Sequence, residues 1–491
     1  MLTPNEIKTF IDNDASSDRK RFARTGVRYY EADHDIRQYR IFYIDSDGKL
    51  QEDRTKSNIK ISHPFFTELV DQCSQYMLSG KDGFVKSDKP DLQEELDAYF
   101  NDNEDFMSEL YEVLTGAQVK GFEYMYAYKK DDERTSFQCA DSMGVVEVRE
   151  RDTSDGCSYV IYWYVDRIGK DGRKIKRIQV WDDKQTAYFC QIDNGSIQPD
   201  TDEKINPRPH VLYKVEGDES TYFEGFGYIP FFRLDNCKKQ FSALKPVKAL
   251  IDDYDLMSCG LSNNLQDTAE ALYVVKGYDG DNLDALRMNI NSKKMIGVDA
   301  EGGVDIKTID VPYQAREAKL NLDEKSIYRF GMGFNSAQVG DGNITNIVVK
   351  SRYALLDLKA NKLEIRLKQF MRKLLKIVLQ EINDINGTDY KLSDVYFDFE
   401  REVITNASDN AQIELTDAQK QQVQINTLLG LASYLDNETL MTNICAVLDI
   451  DYNEIKDKLP TQEESNPYSD AQSALDGITP TETGDKGDLI E

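Results

Sequence analysis

Hydrophobic residues recur at helical spacing through two long stretches in the second half of the chain. In the first, residues 241–272, they return every three or four positions, over more turns than an average globular helix has. We expect Pro246 in the first turn, where its missing N–H costs little. Such a helix would be about 40 Å long, so its apolar face needs a partner elsewhere, in many cases another subunit. The apolar positions are Phe241, Leu244, Val247, Ile251, Tyr254, Met257, Leu261, Leu265 and Leu272.

The second stretch, residues 347–385, combines an apolar stripe with many basic side chains. The basic residues are Lys350, Arg352, Lys359, Lys362, Arg366, Lys368, Arg372, Lys373 and Lys376. In a chain rich in acids, we expect this helix to meet acidic surface of the same or a neighbouring subunit. Direct contact with DNA is the alternative.

A short β-containing excursion separates the first long helix from a returning one. Residues 272–311 are rich in strand formers and interrupted by glycines, with a helical stretch near 283–288. A second helix is predicted from Tyr313 to Phe330. The chain therefore runs out along one helix and back along another, with a miniature domain at the tip. This arrangement is unusual in enzymes and typical of a protruding segment that binds another molecule.

The amino-terminal half predicts helices followed by one antiparallel sheet. Helices are expected at 5–11, 19–32, 65–78 and 92–115, with a hairpin around Asp47-Gly48. From Gly121 to Phe232 the hydrophobic period changes to two, which predicts strands at 124–129, 145–149, 159–165, 177–181 and 188–192. Alternating aromatic residues there favour one packed sheet face over a platform that stacks bases or sugars. These elements place the chain in the α+β class.

The carboxyl-terminal region predicts a small helical cap and an acidic end. A strand is expected at 395–399, and helices are expected at 417–434, 438–447 and 452–459. Residues 461–491 are rich in Thr, Ser, Gly and Asp, with Lys486 as their one basic residue. A segment of this composition is predicted to be disordered.

The net charge of the chain argues against one class of function. The 491 residues include 88 Asp and Glu against 60 Lys and Arg, a net charge of −28 at pH 7. This argues against a nucleic-acid clamp but not against a protein that lets DNA pass, because a negative wall repels phosphates. The alternative is that the acidity simply keeps the protein soluble.

Cysteine usage and hydropathy indicate the compartment. The seven cysteines are scattered and contain no CxxC pair, which is typical of a reducing environment. The amino terminus carries no secretory pattern, and no long apolar window is free of charge. We therefore expect a soluble intracellular protein that does not enter a membrane.

The patterns of known catalytic and metal sites are missing. The three histidines show no zinc-ligand spacing, and no serine or cysteine nucleophile motif is present. The glycine-containing stretch 331–347 lacks the Gly-Lys-Ser/Thr of a phosphate-binding loop. Asp252, Asp253 and Asp255 could bind magnesium but are interpreted as solvated or inter-subunit charges. We expect no catalytic residue, no metal and no cofactor.

Five segments in a fixed order carry a family resemblance. They are NIKISHPFFTELVDQCSQYMLSGK (58–81), GFEYMYAYKKDD (121–132), IPFFRLDN (229–236) with LKPVKALIDDYDLMSCGLSNNLQDTAEALYVVKGYDG (244–280), EGGVDIKTIDVP (301–312) and YALLDLKANKLE (353–364). Together they resemble the portal proteins, or head-to-tail connectors, of long-tailed, siphovirus-type phages. The similarity covers residues 3–459, nearly the whole chain.

The resemblance implies a multidomain portal fold of wing, stem, clip and crown, built around long channel-lining helices and assembling into a ring. The implied parts are a wing of helices and antiparallel sheet (1–234), a stem helix (235–270), a clip (271–310), a returning stem helix (311–333), a tunnel loop (334–346), a long wing and crown helix (347–385), a crown (386–460) and a disordered acidic tail (461–491).

The same resemblance implies a ring, dodecameric in virions, at one capsid vertex, through which double-stranded DNA is packaged and ejected. Its implied partners are the terminase large subunit, then head-completion (adaptor) and tail proteins, besides the major capsid and scaffolding proteins. The implied location is the virion, after assembly in the cytoplasm of a bacterial host. No enzymatic activity is expected. The alternatives are a nucleotide-dependent DNA motor or nuclease component, and a ring-forming scaffold unrelated to phages.

Three groups of site residues follow from the resemblance. The implied DNA-facing tunnel-loop residues are Asn335, Ser336, Gln338, Asp341, Asn343 and Thr345. The implied channel-lining stem residues are Asp252, Asp253 and Asp255, and the implied docking residues of the clip are Asp279, Asp281, Arg287, Lys293 and Lys294. Because the loop contains no Lys or Arg, its polar side chains favour a sliding contact over a tight grip on phosphates.

Overall fold

The computed structural model divides the chain into two compact units. It describes residues 1–45, 47–54, 56–80, 82–129, 134–149, 156–168, 172–214, 221–267, 272–276, 303–307, 313–335, 346–401, 407–432 and 434–448. The first unit comprises Met1–Asn343 and Ile347–Ile404, and the second comprises Ile344–Asn346 and Thr405–Glu491. Helices and sheets both build the first unit, which confirms the predicted α+β class. None of the described helices combines the length and the apolarity that a membrane crossing requires.

The first part of the first unit is mainly helical. Its elements are α1 (Pro4–Ala15), α2 (Asp18–Tyr30), a 3-10 turn (Asp35–Gln38), the hairpin of β1 (Phe42–Ile44) and β2 (Leu50–Glu52), α3 (Phe65–Met77), β3 (Val85–Lys86), α4 (Pro90–Leu96) and α5 (Glu104–Lys120). The hairpin and the first three helices confirm the predictions. The single helix expected at 92–115 was wrong, because a π-helical turn at Asp97–Asn101 ends α4. Asn103 then starts α5 by accepting a hydrogen bond from the Phe106 N–H at 3.0 Å.

Three antiparallel sheets follow where one was predicted. The strands are β4 (Phe122–Tyr128), β5 (Ser136–Ala140), β6 (Val145–Val148), β7 (Tyr159–Ile168), β8 (Lys174–Trp181), β9 (Gln185–Ile192), β10 (Gln198–Pro199), β11 (Arg208–Pro209), β12 (Val211–Lys214), β13 (Thr221–Glu224) and β14 (Phe231–Asp235). The large sheet has the order β10-β9-β8-β7-β6 with β11 also on β9, and the small sheet has the order β14-β4-β5. Strands β12 and β13 pair antiparallel in a separate two-stranded sheet. The one-sheet prediction was wrong because β4 pairs with the distant β14, where Tyr126 lies opposite Phe231.

Aromatic side chains of the large and the small sheet pack against one another. The rings of Tyr126 and Phe231 stack at 5.3 Å between centroids, and Trp181 lies 5.4 Å from Phe231. Trp181 is buried in a cluster with Phe122 and Tyr124. This confirms the prediction that the alternating aromatics form a packed face.

The later helices and strands follow β14 in the first unit. They are α6 (Lys248–Asp267), β15 (Leu272–Lys276), β16 (Gly303–Lys307), α7 (Tyr313–Gly331), α8 (Asn346–Asn386), a 3-10 turn (Leu392–Asp394) and β17 (Tyr396–Phe397), which pairs with β3. The bounds of α7 and α8 confirm the predicted helices. The first long helix is shorter than predicted, because residues 243–247 form turns and Pro246 precedes the helix. Its 20 residues give a length of about 30 Å.

The main core lies around α8. Buried residues at helical spacing along one side of α8, among them Leu363, Phe370 and Val378, join side chains of α3, α4, α5 and the small sheet in one cluster. A separate cluster joins α2, α3, α6 and α7 through Tyr29, Leu69 and further apolar residues. Helix α3 therefore contributes to both clusters.

The second unit contains two described helices that pack against each other, α9 (Ala407–Gly430) and α10 (Asn437–Val447). The predicted helix at 438–447 is confirmed, and the one predicted at 417–434 begins earlier, at Ala407. The helix predicted at 452–459 and the acidic tail at 461–491 lie outside the described residues.

Candidate functional site

Helices α6 and α7 pack side by side and form the out-and-back pair that the sequence predicted. Near one end, Nζ of Lys319 lies 2.6 Å from Oδ2 of Asp253. Beyond the other end, β15 and β16 pair antiparallel, with Leu272 opposite Lys307. The chain therefore leaves along α6, crosses a paired β segment and returns along α7.

One side of α6 is covered by an extended segment of the same chain, residues 57–63, which we call the strap. Backbone N–H groups of alternate strap residues donate to side chains spaced four apart on α6. The pairs are Ser57 to Asp267 (3.2 Å), Ile59 to Asn263 (2.7 Å), Ile61 to Cys259 (3.2 Å) and His63 to Asp255 (3.0 Å). The match arises because two extended residues advance by about 6.6 Å and four helical residues by about 6 Å.

The strap changes one expectation drawn from the sequence. The apolar pattern suggested that α6 finds its partner in another subunit, but its buried residues are covered by α7 and by elements near the amino terminus of the same chain. Of the 20 residues of α6, only Ile251, Asp255 and Cys259 are buried. Any contact of α6 with another copy therefore uses its remaining, exposed side.

Asp255 is the buried centre of this anchorage. Its Oδ2 lies 2.6 Å from Nδ1 of His34, and its Oδ1 lies 2.7 Å from Nδ1 of His63. Burial raises the pKa of the Asp255 carboxyl, but the hydrogen bonds to His34 and His63 outweigh it and hold that pKa below its ordinary value. Because the side chain is fully buried, the expectation that Asp255 lines a channel was wrong.

The two neighbouring acids are partly exposed and each is paired within the chain. Asp252 accepts hydrogen bonds from the Tyr29 hydroxyl and, at 2.7 Å, from Nζ of Lys248. Burial and the bond to Asp252 raise the pKa of Tyr29. Asp253 pairs with Lys319, which also contacts Asp323. These pairs attach α6 to α2 and α7, and a place for Asp252 and Asp253 in a channel wall stays a prediction.

The end of α7 is held against α3 by a close approach of the backbone. A Cβ atom at Gly331 would lie 2.5 Å from a methyl carbon of Leu69, and one at Gly333 would lie 2.2 Å from the other methyl. The Tyr328 hydroxyl, one turn earlier, donates to Glu68. The absence of side chains at both glycines therefore lets the chain pass directly over α3.

The first residues after α7 are fixed by the same helix. The Phe334 N–H donates to Oε1 of Gln72 at 3.0 Å, and Nε2 of Gln72 donates to the Phe334 carbonyl at 2.7 Å. The Phe334 ring stacks on Tyr353 of α8 at 4.9 Å between centroids. Nδ2 of Asn335 donates to Oε1 of Glu324 at 2.7 Å. The entry to the predicted tunnel loop is therefore anchored on three sides.

Helix α3 also holds α8, which follows the loop. Nζ of Lys359 donates to the Leu69 carbonyl at 2.9 Å, and the Tyr76 hydroxyl donates to Oδ1 of Asp357 at 2.5 Å. Burial lowers the pKa of the Lys359 amine. Helix α3 is thus attached to the elements on both sides of the loop.

The role of α3 was missed at the sequence level. Glu68, Gln72 and Tyr76 recur at intervals of four in a largely apolar helix, which places their polar groups on one face. That spacing was the available signal, but it does not name the distant partners Tyr328, Phe334 and Asp357.

Several predicted site residues lie outside the described part of the chain. Of the tunnel-loop candidates, only Asn335 is described. The others are Ser336, Gln338, Asp341, Asn343 and Thr345, and the docking candidates outside the described residues are Asp279, Asp281, Arg287, Lys293 and Lys294. Their proposed roles therefore rest on the sequence alone.

Comparison with known proteins identifies the family. A profile of the family described as "Phage portal protein, SPP1 Gp6-like" matches residues 10–467. The chain is 28% identical over 351 residues to the portal protein of Bacillus phage SPP1, covering 71% of this chain and 67% of that protein. It is 23% identical over 429 residues to the portal protein of Clostridium phage phiCD119, covering 83% of this chain and 88% of that protein. The chain belongs to the phage portal protein family, as its five segments predicted.

Proposed function

We propose that copies of this portal-family chain assemble into a closed ring whose channel passes double-stranded DNA at one vertex of a capsid. The observation that carries this proposal is the exposed side of the α6–α7 pair. Leu265 is 59% exposed, Leu322 60% and Phe330 54%, although each helix already has a buried side packed within the chain. Large apolar side chains that stay exposed along a helix pair, on helices whose other sides are already packed, indicate a surface that packs against another protein.

The helix pair acts in this proposal as the stem around the channel. Helix α6 and the returning α7 are the stem helices, the segment that contains β15 and β16 is the clip, and the tunnel loop begins at Phe334. The wing comprises the helices and sheets before α6 together with part of α8, and the crown comprises residues 386–460. The anchorage by Asp255, Glu68 and Gln72 supports this division, because it joins both stem helices to segments of the proposed wing.

The electrostatics of the proposed channel favour passage of DNA over binding. The chain carries a net charge of −28, and a ring of such chains repels phosphate groups. Asp252 and Asp253 are the acidic candidates for the channel wall. Asn335, Ser336, Gln338, Asn343 and Thr345 offer neutral polar groups in the loop, which contact a moving phosphate backbone without the strong attraction of Lys or Arg.

The remaining assignments concern partners and location. In the proposed virion the ring is a dodecamer that contacts the major capsid protein and, during assembly in the bacterial cytoplasm, scaffolding protein. The clip residues Asp279, Asp281, Arg287, Lys293 and Lys294 dock the terminase large subunit and later the head-completion and tail proteins. The chain itself is a structural component without enzymatic activity.

Imaging and mass measurement test the proposal. Negative-stain electron microscopy of the purified full-length protein should show closed rings with a central hole, and mass photometry should give a whole multiple of the 56.2 kDa chain. Nucleotide hydrolysis by the rings should equal the background of buffer alone. A protein that stays monomeric with and without scaffolding and capsid proteins, or that hydrolyses ATP, would overturn the proposal.

A further inference from the structure

Helix α8 presents a second regular stripe on its solvent side. Its members recur at intervals of three, four or seven residues, so they lie on one face opposite the buried core residues. This α8 stripe consists of Leu355, Leu358, Lys362, Ile365, Arg372 and Lys376, all exposed. Leu358 is 58% exposed and Ile365 is 61% exposed. An apolar stripe with this spacing has the geometry by which one helix packs along another.

The basic residues of the α8 stripe have no acidic partner among the residues that the structure describes. Within the described part of the chain, Lys362, Arg372 and Lys376 form no ion pair with a carboxylate. Lys368, by contrast, lies 2.7 Å from Glu364 on the same helix. Since acids outnumber bases by 88 to 60 in this chain, three cations on one helix face, without a carboxylate partner among the described residues, indicate a surface that meets acidic groups of another molecule.

A complementary surface lies on α5. Between Asp91 and Glu112 the sequence contains acidic residues but no Lys or Arg. Glu104, Asp105 and Glu112, which we call the α5 acidic group, are exposed, and none of them pairs with a basic side chain among the described residues. Helices α5 and α8 bury their other sides in the same core, so the exposed side of each is available to a second molecule.

We propose that the α8 stripe of one copy packs on the α5 acidic group of the next copy, as a seam of the ring. This inference rests on the proposed ring. A contact between two different surfaces is heterologous, and repeated heterologous contacts close into rings when the rotation permits. Pairing of α8 with α8 would instead place basic groups against basic groups.

The composition of the stripe favours a protein partner over DNA. Leu355, Leu358 and Ile365 share the face with the basic residues, and apolar side chains gain nothing from phosphate groups. The apolar half supplies the attraction, because exposed ion pairs contribute little to stability. The charged half determines which surface of the next copy the stripe binds and the register in which the two helices pack.

Charge reversal and its rescue test the seam in the full-length protein. The double variant Arg372→Glu/Lys376→Glu should lose the ring species in mass photometry, or raise the concentration at half assembly by at least about tenfold, because like charges would face each other. Adding Asp105→Lys and Glu112→Lys to the same chain should restore rings. The matched control Lys8→Glu/Lys204→Glu changes two exposed bases elsewhere and should leave assembly unchanged. Circular dichroism should show native helix content in every variant.

Each outcome separates the seam from the ring itself. If the α8 reversal variant still forms rings as the wild type does, the seam is overturned while the proposed function stands. Loss of rings without rescue by the α5 reversal would overturn α5 as the partner. Intact rings with weaker, less salt-dependent retention of duplex DNA would assign the stripe to DNA instead. A wild-type protein that never forms rings would overturn the proposed function, and the seam with it.

Discussion

The backbone N–H of His63 donates to Oδ1 of Asp255 at 3.0 Å, and Nδ1 of the same histidine lies 2.7 Å from that oxygen. One carboxylate oxygen thus holds both the main chain and the side chain of the last strap residue. The other oxygen is held by His34, which precedes the 3-10 turn after α2. Asp255 therefore joins three separate segments at the base of the proposed stem.

Replacement of this carboxylate should loosen the base of α6. We expect Asp255→Ala to destabilise the first unit by about 3–5 kcal/mol, because it leaves the buried donor of His34 and the half-buried donors of His63 without an acceptor. Denaturant unfolding and hydrogen exchange of α6 amides measure the loss. The control Asp253→Ala removes a partly exposed acid two positions earlier on α6 and should lower the free energy of unfolding by about 1 kcal/mol or less. Equal losses in the two variants would contradict the anchoring role.

The same carboxylate should contribute a pH-dependent part of the stability. The folded-state pKa of Asp255 lies below its ordinary value, so its stabilisation is fully present above the unfolded pKa of about 3.9 and is lost as pH falls through the folded pKa. The wild type should therefore lose more stability than Asp255→Asn between about pH 6 and pH 3. Parallel acid titrations followed by denaturant unfolding give this difference. A constant difference across the range would show that the charge of Asp255 does not stabilise the fold.

A methyl group at Gly333 should displace the start of the tunnel loop. Gly333→Ala places its Cβ 2.2 Å from Leu69, and overpacking of this kind costs about 1–3 kcal/mol. The double variant with Leu69→Ala should cost less than the sum of the two single variants, because the smaller residue makes room. Thermal unfolding of the four proteins gives the coupling. Gly430→Ala, where a Cβ atom meets nothing within 4 Å, is the control and should be close to neutral.

Charges on the exposed side of α7 should prevent assembly and leave the protomer folded. Leu322→Asp/Phe330→Asp places two carboxylates where the proposed ring packs apolar surface, and each side chain is more than half exposed in the protomer. Mass photometry should show loss of rings, and circular dichroism should be unchanged. Leu50→Asp in the β1–β2 hairpin, at 66% exposure, is the matched control and should keep the rings. Rings that survive the double variant would remove α7 from the subunit contacts.

Local patterns predicted those elements whose partners do not affect their boundaries. The apolar repeat of α8 and the residues of α7 specify a helix by themselves, and both helices were found at nearly the predicted bounds. The start of α6 was wrong for a tertiary reason. Leu244 and Val247 continue the helical spacing, but they are buried in turns that pack against the cluster of Tyr29 and Leu69. Burial can satisfy an apolar residue in a turn as well as in a helix.

Contacts between distant segments were not predictable from the pattern. Asp255 appeared to be one of three acids on a polar helix side, and its burial depends on His34 and His63, which belong to separate segments far from it along the chain. The pairing of β4 with β14, which separates the small sheet from the large one, was missed for the same reason. The hydrophobic period indicates which residues are buried, but it does not indicate which distant residues they contact.

The amino-acid sequence by itself determined the class, the out-and-back helices and the family, because spacing and short segments are properties of neighbouring residues. The tertiary structure decided that Asp255 is an anchor instead of a channel residue, that the strap covers α6, and that α3 holds both sides of the loop. These three features depend on hydrogen bonds and close contacts between residues that are far apart in the sequence. Such contacts form only when the chain folds and brings the residues together.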